Sequence, residues 1–275
     1  MGLRDLFLTA LAAASLVAQS RPSFDAVSIK PSAASGGQSV RAVGDRVVAT
    51  DATLRALVQF AYRSPDARSL LNSQIIDAPP WAQADRFNVQ AKAGAASGVV
   101  TLRQLQLMTQ VMLEDRFRLT AHREMRELPV YDLVVAKSGL KMTRAADQTP
   151  PDPDADQVSP DPGAPPRGRF KMLAKPSPSG AITLTVTGSA VTMPAFISLL
   201  QQYLDRPVVN SSGAAGLYDV RLEFGLAQSQ PPTADEPVGA SLFTAVQEQL
   251  GFKLDAVKRQ VEVLVIDHAE HPTAD

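Results

Sequence analysis

LEDRFRLTA, at residues 113–121, recurs as EQLGFKLDA at residues 248–256, and this pair of stretches decides the predicted fold. In each stretch the end of an amphipathic helix leads directly into a strand whose Phe, Leu and Ala alternate with polar residues. A second β-rich run follows each stretch, at residues 130–135 and 261–266, and is expected to be its hairpin partner. The recurrence predicts an internal repeat.

The segments that precede each stretch extend the repeat in the same order. In both halves, strands alternate with helices that begin at a Thr, Ser or Asp cap. The first half has strand 46–49, a helix capped by Thr50, Asp51 or Thr53, strand 87–91, and a helix capped by Thr101 with Gln104. The second half has strand 182–186, a helix capped by Thr192, strands 208–209 and 218–224, and a helix capped by Ser241.

This pattern predicts the α+β class, with two related βαβ–αββ-type halves whose helices pack on mixed or antiparallel sheets. Residues 24–29 and 40–48 add a strand and a hairpin ahead of the first half. Residues 145–168 contain seven prolines and five aspartates, a composition that cannot repay the entropy lost on folding. We therefore predict a disordered linker at 145–168, between a first half at 21–144 and a second half at 169–275.

Residues 1–20 are predicted to be a signal peptide. Residues 6–18 form an uncharged run rich in Ala and Leu, too short to cross a bilayer core of ~30 Å as a helix. The small residues Ala18 and Ser20 favour cleavage after Ser20. The mature chain is expected to be secreted or periplasmic. In the alternative, an uncleaved signal segment would be its membrane contact.

Composition argues against several classes of function. Among 275 residues, 27 basic and 28 acidic side chains give a net charge of -1, which provides no electrostatic footprint for nucleic acid. The chain has no cysteine, so disulfides, thiolate zinc sites and cysteine nucleophiles are excluded. No G-x-S-x-G turn and no phosphate loop occurs, and no cofactor is expected.

The three histidines are weak candidates for metal binding or catalysis. His268 and His271 have a spacing that metal ligands use, but they lie in a tail just before Pro272. A solvated tail is therefore the favoured interpretation, and no metal site is predicted. His122, at a strand edge, is interpreted as a surface or salt-bridged side chain.

Charged residues at the ends of several predicted elements are the strongest candidate for a binding site. If these ends converge, Arg86, Arg116 and Arg123 would form a patch for an anion or a carboxylate. A salt-bridge network with neighbouring acidic residues is the interpretation we favour. Trp81, in a proline-rich loop, is either a plug over the core or an exposed contact. These four residues and His122 are the candidate binding residues, and no catalytic residue is predicted.

The ordered segments resemble a bacterial family of exported proteins, the domain of unknown function 3738, which is frequent in soil bacteria. The matching runs are FDAVSIKP (24–31), TLR (53–55), FAY (60–62), PW (80–81), DRF (85–87 and 115–117), HRE (122–124), LPVY (128–131), RPVV (206–209) and VLVIDH (263–268). They span nearly the whole mature chain, with departures at residues 210–217 and at His271. Some relatives are attached to antibiotic-sensor-like membrane metallopeptidases, so the resemblance implies a sensory or binding role. It brings no catalytic residues, and this chain has no HExxH motif.

The second half is also similar to the short amino-terminal domain of secretins and TonB-dependent receptors. Those domains are small βαβ-type modules that bind other proteins in the periplasm. Because many small α+β folds share this order of elements, the similarity implies an interaction role only by analogy.

These observations predict an exported, non-enzymatic protein that binds a protein or an envelope component. Two alternatives stay open. One is a hydrolase of unknown substrate whose site uses a carboxylate or the neighbourhood of Arg86, Arg116 and His122. The other is a ligand sensor that works beside a separate membrane metallopeptidase.

Overall fold

The computed structural model describes residues 21–33, 36–63, 69–94, 100–151, 164–176, 182–226 and 241–272. The predicted signal peptide and residues 152–163 of the predicted linker lie outside the described residues. Within those residues the protein has five α-helices and three four-stranded, mostly antiparallel sheets, which confirms the α+β class.

The elements follow one another in a similar order in the two halves. The first half contains β1 (Ala26–Pro31), β2 (Ser39–Val43), β3 (Arg46–Thr53), α1 (Leu54–Ala61), β4 (Ile75–Ile76), α2 (Trp81–Ala84), β5 (Arg86–Lys92), α3 (Leu102–Phe117) and β6 (Thr120–Val135). The second half contains β7 (Thr143–Arg144), β8 (Phe170–Pro176), β9 (Ile182–Thr192), α4 (Met193–Leu200), β10 (Val208–Asn210), β11 (Leu217–Leu226), α5 (Leu242–Leu250) and β12 (Phe252–His268). Within the described residues, no helix combines the length and the apolar character that a membrane span needs.

Each half builds one outer sheet of its own. The first has the strand order β1-β5-β3-β2, the second has β7-β11-β9-β8, and both are antiparallel throughout. The third sheet, β10-β6-β12-β4, is shared by the halves. In it β6 and β12 are antiparallel, while β10 runs parallel to β6 and β4 runs parallel to β12. Each half therefore adds a short strand to the long strand of the other half: β4 of the first half pairs with β12, and β10 of the second half pairs with β6.

The shared sheet also joins the two hydrophobic cores. Leu264 and Ile266 of β12 are buried in the core of the first half, and Leu133 of β6 is buried in the core of the second. Between these ends the two-stranded ribbon that β6 and β12 form is exposed, as at Met125, whose exposed fraction is 60%. Because each long strand completes the core of the other half, the two halves are interdependent in packing.

A shared backbone detail supports the duplication. Asp51 (φ 48°) and Ala190 (φ 47°) each have a left-handed conformation, two residues before the N-cap of α1 and of α4. This conformation is uncommon outside glycine and forms a bulge in each strand. In each bulge the backbone N–H donates to a side chain of the partner strand: Asp51 to Asn88 Oδ1 (3.1 Å) and Ala190 to Asp219 Oδ1 (2.9 Å).

Two details of the predicted repeat are wrong. Phe117 is the last residue of α3, whereas Phe252 is the first residue of β12, so the predicted match of these two residues is displaced. Arg118 (φ 49°) and Gly251 (φ 75°) are the left-handed C-caps of α3 and α5, and they are equivalent residues of the two halves. The sequence distance between them is the same as that between Ile75 and Val208, which begin the short strands β4 and β10. This equivalence is not evident from the sequence, because Arg118 stands where a glycine would signal the end of a helix.

The second error concerns the predicted hairpins. Residues 130–135 continue the strand that begins at Thr120, and residues 261–266 continue the strand that begins at Phe252. Each long strand pairs with the long strand of the other half instead of folding back on itself. The polar residues in the middle of each strand belong to the exposed part of the ribbon.

Candidate functional site

The three arginines of the predicted anion patch have separate surroundings. Arg86 Nη1 donates to the carbonyl oxygen of Asp51 at 3.0 Å. Arg123 pairs with the carboxylate of Glu262 across the ribbon. Arg116 lines a small groove of about 160 Å³ beside the start of β1. The contacts of these three guanidinium groups therefore differ, and a shared anion patch stays a prediction.

His122 lies on the exposed surface of β6. Its Nδ1 lies 2.9 Å from both carboxylate oxygens of Asp267. The hydrogen bond to Asp267 raises the pKa of His122, with a smaller contribution from Glu124. The contact joins the amino-terminal end of β6 to the carboxyl-terminal end of β12.

Trp81 and His271 are in contact. Their rings are stacked, with centroids 4.1 Å apart and an interplanar angle of 28°. His271 Nε2 lies 2.7 Å from Asp85 Oδ2, while His268 Nε2 lies 3.0 Å from Glu270 Oε1. Trp81 itself is half-buried against the core of the first half. Among the residues that the structure describes, no group of three potential metal ligands assembles.

One groove, of about 580 Å³, gathers ionisable side chains and would be the natural location for a hydrolase site. Tyr62, Glu114, His268 and Glu270 all line it. Burial, reinforced by the charge of Glu114, raises the pKa of Tyr62 to about 12. Glu114 is paired with Arg21 at 2.6 Å. At neutral pH the Tyr62 phenol is therefore protonated, which does not suit it to proton abstraction.

A larger groove, of about 840 Å³, follows the outer edge of β11 in the second half. Its walls come from residues 141–143, from the β11 segment around Arg221, and from Gln249 and Leu250 at the end of α5. Lys141, Arg221 and Glu223 give it charge of both signs, and Met142 and Phe224 give it apolar surface. This groove contains none of the residues predicted from the sequence.

The groove exists because β7 leaves β11 after two residues. β7 pairs only with Tyr218 and Asp219. Lys141 is instead held at the end of α5: its N–H donates to the carbonyl oxygen of Leu250 (2.9 Å) and its Nζ to that of Glu248 (2.7 Å). The chain before β7 therefore diverges from β11, and the pairing of β7 stops short of Arg221.

The backbone of Arg221 faces this groove. Glu223, two residues further on, turns its N–H and its carbonyl oxygen to the Gln249 side chain, at 2.9 and 2.7 Å. Asp219, two residues before, pairs with Thr143 of β7. Since alternate residues of a strand present their polar backbone groups to the same edge, Arg221 also presents an N–H and a carbonyl here. The Gln249 amide takes the place that a neighbouring strand would have at Glu223.

The equivalent edge in the first half is covered. β1 pairs with β5 from Ala26 opposite Lys92 to Pro31 opposite Phe87. Gln90, the counterpart of Arg221, lies opposite Ser28 of β1. Ile29 of β1 is 1% exposed and seals the core at this edge. Met142 is buried at the corresponding place in the second half, just before β7, but within the described part of the chain no strand continues along this edge beyond it.

The fold and groove define an α+β protein of two similar halves that exchange short strands, and in the described residues the β11 edge is uncovered beyond Asp219. The chain belongs to the family described as "Protein of unknown function (DUF3738)", whose model matches residues 55–269. No curated protein and no solved structure matches the chain. The similarity of the second half to secretin and TonB-receptor domains stays a prediction.

Proposed function

We propose that this chain is a binding protein that takes up an extended segment of another polypeptide as an added strand along β11. The observation that carries the proposal is the backbone of Arg221, which faces an open groove where the first half has a paired strand. Strand addition to an exposed sheet edge is a common mode of peptide recognition, in which main-chain hydrogen bonds supply affinity.

Size and energetics support this use of the groove. A volume of about 840 Å³ lies within the range of ordinary ligand sites. Each main-chain hydrogen bond that an added strand gains contributes about 0.5–1.5 kcal/mol net. The charges of Lys141, Arg221 and Glu223 also protect the edge against indiscriminate pairing, so the same side chains favour a selected partner.

We also propose that the protein acts outside the cytoplasm, where its partner would be a protein or another envelope component. The uncharged run at residues 6–18 and the small residues before Arg21 support this location. Mass spectrometry of the protein recovered from its native cells tests it. A mature chain that begins at Arg21, in the periplasm or the medium, is expected. A chain retained in the cytoplasm with residues 1–20 attached would contradict export.

Binding is tested with a fluorescent peptide that has the sequence of residues 24–33, because β1 in this segment pairs with the equivalent edge of the first half. Fluorescence anisotropy should show saturable binding to the mature chain. Arg221→Pro removes one outward N–H, which an edge strand tolerates, and should weaken binding about tenfold or more. Arg221→Ala keeps the N–H and is the matched control, with a change of no more than a few-fold.

Thermal unfolding of both variants should remain close to that of the parent chain, because no ladder hydrogen bond to β9 is removed. Equal peptide binding by Arg221→Pro and Arg221→Ala would contradict the proposal. So would a parent chain that gives no saturable signal.

A further inference from the structure

We propose that a groove between the two halves binds a neutral oligosaccharide. Its walls come from α1 and the start of β2 in the first half and from the end of α4 in the second. The volume of the groove, about 570 Å³, lies within the range of ligand sites, which often lie between domains. The described residues that line it differ from those of the groove at β11, so this inference does not depend on strand addition.

Equivalent helices of the two halves meet at this groove. Counted from the left-handed bulge residue of each half, Gln59 of α1 and Ser198 of α4 occupy equivalent positions. Arg63 and Gln202, just beyond the two helices, are equivalent in the same way. All four line the groove. A ligand bound there would therefore contact both halves.

The lining is rich in groups that both donate and accept hydrogen bonds. Three serines line the groove together with four glutamines, Gln38, Gln59, Gln201 and Gln202. An amide carries two N–H donors and an acceptor oxygen, and a hydroxyl carries one donor and two acceptor lone pairs. The hydroxyl groups of a sugar have the same dual character. A saccharide is therefore complementary to this lining.

Charge and polarity disfavour other classes of ligand. The macrodipoles of α1 and α4 place partial negative charge at the helix ends that line the groove, which opposes an anion. A cation would meet Arg63 without a carboxylate among the described lining residues to compensate it. A wholly apolar ligand would bury the amides without hydrogen bonds, at a cost in free energy. A neutral ligand rich in hydroxyl groups avoids all three penalties.

Two of the glutamines are held in position by the fold. Gln59 Nε2 donates to the carbonyl oxygen of Leu70 at 2.9 Å and to Asn72 Oδ1 at 3.2 Å. Gln201 is the C-cap of α4, and only 7% of it is exposed. Groups that are already ordered lose little conformational entropy when a ligand binds. The groove is therefore partly preorganised.

Apolar side chains complete the lining. Val40, Phe60 and Leu70 belong to the core of the first half or pack against it, and they also line the groove. Ligand sites typically combine such apolar surface with a few polar groups that fix the orientation of the ligand. The C–H faces of sugar rings can pack on this surface while the hydroxyl groups bond to the amides.

The test is a titration of the mature chain with three soluble trisaccharides, maltotriose, cellotriose and chitotriose, followed by nuclear magnetic resonance. At least one of them should bind saturably. It should shift the backbone amide signals of residues 38–40 and of residues 198–202 together, because each half contributes to the lining.

Variants locate the binding. Gln38→Ala and Gln202→Ala remove one exposed amide from each half, so thermal unfolding should stay close to that of the parent chain. The double variant Q38A/Q202A should weaken trisaccharide binding about tenfold or more, because two hydrogen bonds are lost. Gln260→Ala, exposed on β12 and outside the described lining, is the matched control and should bind like the parent chain.

The inference would be overturned if none of the three trisaccharides bound saturably, or if the shifted signals lay outside both segments. Parent-like binding by Q38A/Q202A would overturn it too. Arg221→Pro separates the two proposals. This variant should lose peptide binding at β11 and keep trisaccharide binding, whereas Q38A/Q202A should do the reverse.

Discussion

The outer edges of β5 and β11 occupy equivalent places in the two halves, but their surroundings differ. β1 covers β5 along its whole length, whereas β7 covers β11 at only two residues. The bulges at Asp51 and Ala190 are nearly identical, so the halves share even local backbone detail. The two halves therefore differ at one equivalent edge, which β1 closes in the first half and β7 leaves open beyond Asp219 in the second.

The largest expected effect comes from weakening the covered edge. Ile29→Ala would remove a side chain that is 1% exposed and should lower the free energy of unfolding by about 2–5 kcal/mol. Urea denaturation followed by circular dichroism measures it. Lys30→Ala, exposed on the same strand, is the control and should stay within about 0.5 kcal/mol of the parent chain. Equal effects of the two substitutions would show that β1 does not seal the core.

A smaller effect is expected at the open edge. Gln249→Ala removes both hydrogen bonds to the backbone of Glu223 and should lower the free energy of unfolding by about 1 kcal/mol. The same substitution should tighten binding of the residue 24–33 peptide a few-fold, because a competitor for the edge is gone. Glu248→Ala, one residue earlier on α5, should change neither value. Weaker peptide binding by Gln249→Ala would show that this amide helps to hold the peptide.

The smallest effect concerns pH. His122 in β6 has a pKa raised by Asp267, while its counterpart in β12 is Asp255, paired with Lys253 at 2.6 Å. A raised histidine pKa stabilises the fold below the unfolded-state pKa, and this stabilisation is lost as the pH rises through the folded-state pKa. Pairing at this end of the ribbon should therefore weaken as the pH rises through the raised pKa of His122.

Nuclear magnetic resonance titration of the His122 ring tests this expectation. Asp267→Asn should lower the pKa of His122 towards the ordinary histidine value, and Asp255→Asn should leave it unchanged. Because the His122 side chain is about half exposed (52%), solvent screens this contact and we expect little change in stability. An unaltered His122 titration in Asp267→Asn would show that Asp267 is not the cause of the shift.

Local signals in the sequence predicted much of each half. The side chains of Thr53, Thr101, Thr192 and Ser241 cap their helices as expected, because a capping pattern depends on a few adjacent residues. The alternation at residues 218–224 correctly indicated a strand with one buried face. The recurrence of two stretches correctly indicated a repeat, although its register was displaced at Phe117.

Such local signals do not encode how the two halves contact one another. β4 consists of Ile75 and Ile76 alone, too short for a periodic pattern, and its partner β12 lies far along the chain. The groove depends on where Lys141 is held by the end of α5, a contact that no local pattern encodes. For the same reason Arg221 and Gln249 were missed, while Arg86, Arg116 and Arg123, chosen for their charge, have separate surroundings.

The two halves share a fold but differ in whether a strand covers one equivalent edge. Site-resolved hydrogen exchange compares the backbone amides of Gln90 and Arg221 directly. We expect Arg221 to exchange at least about a hundredfold faster than Gln90. Equal protection of the two amides would contradict this difference between the halves.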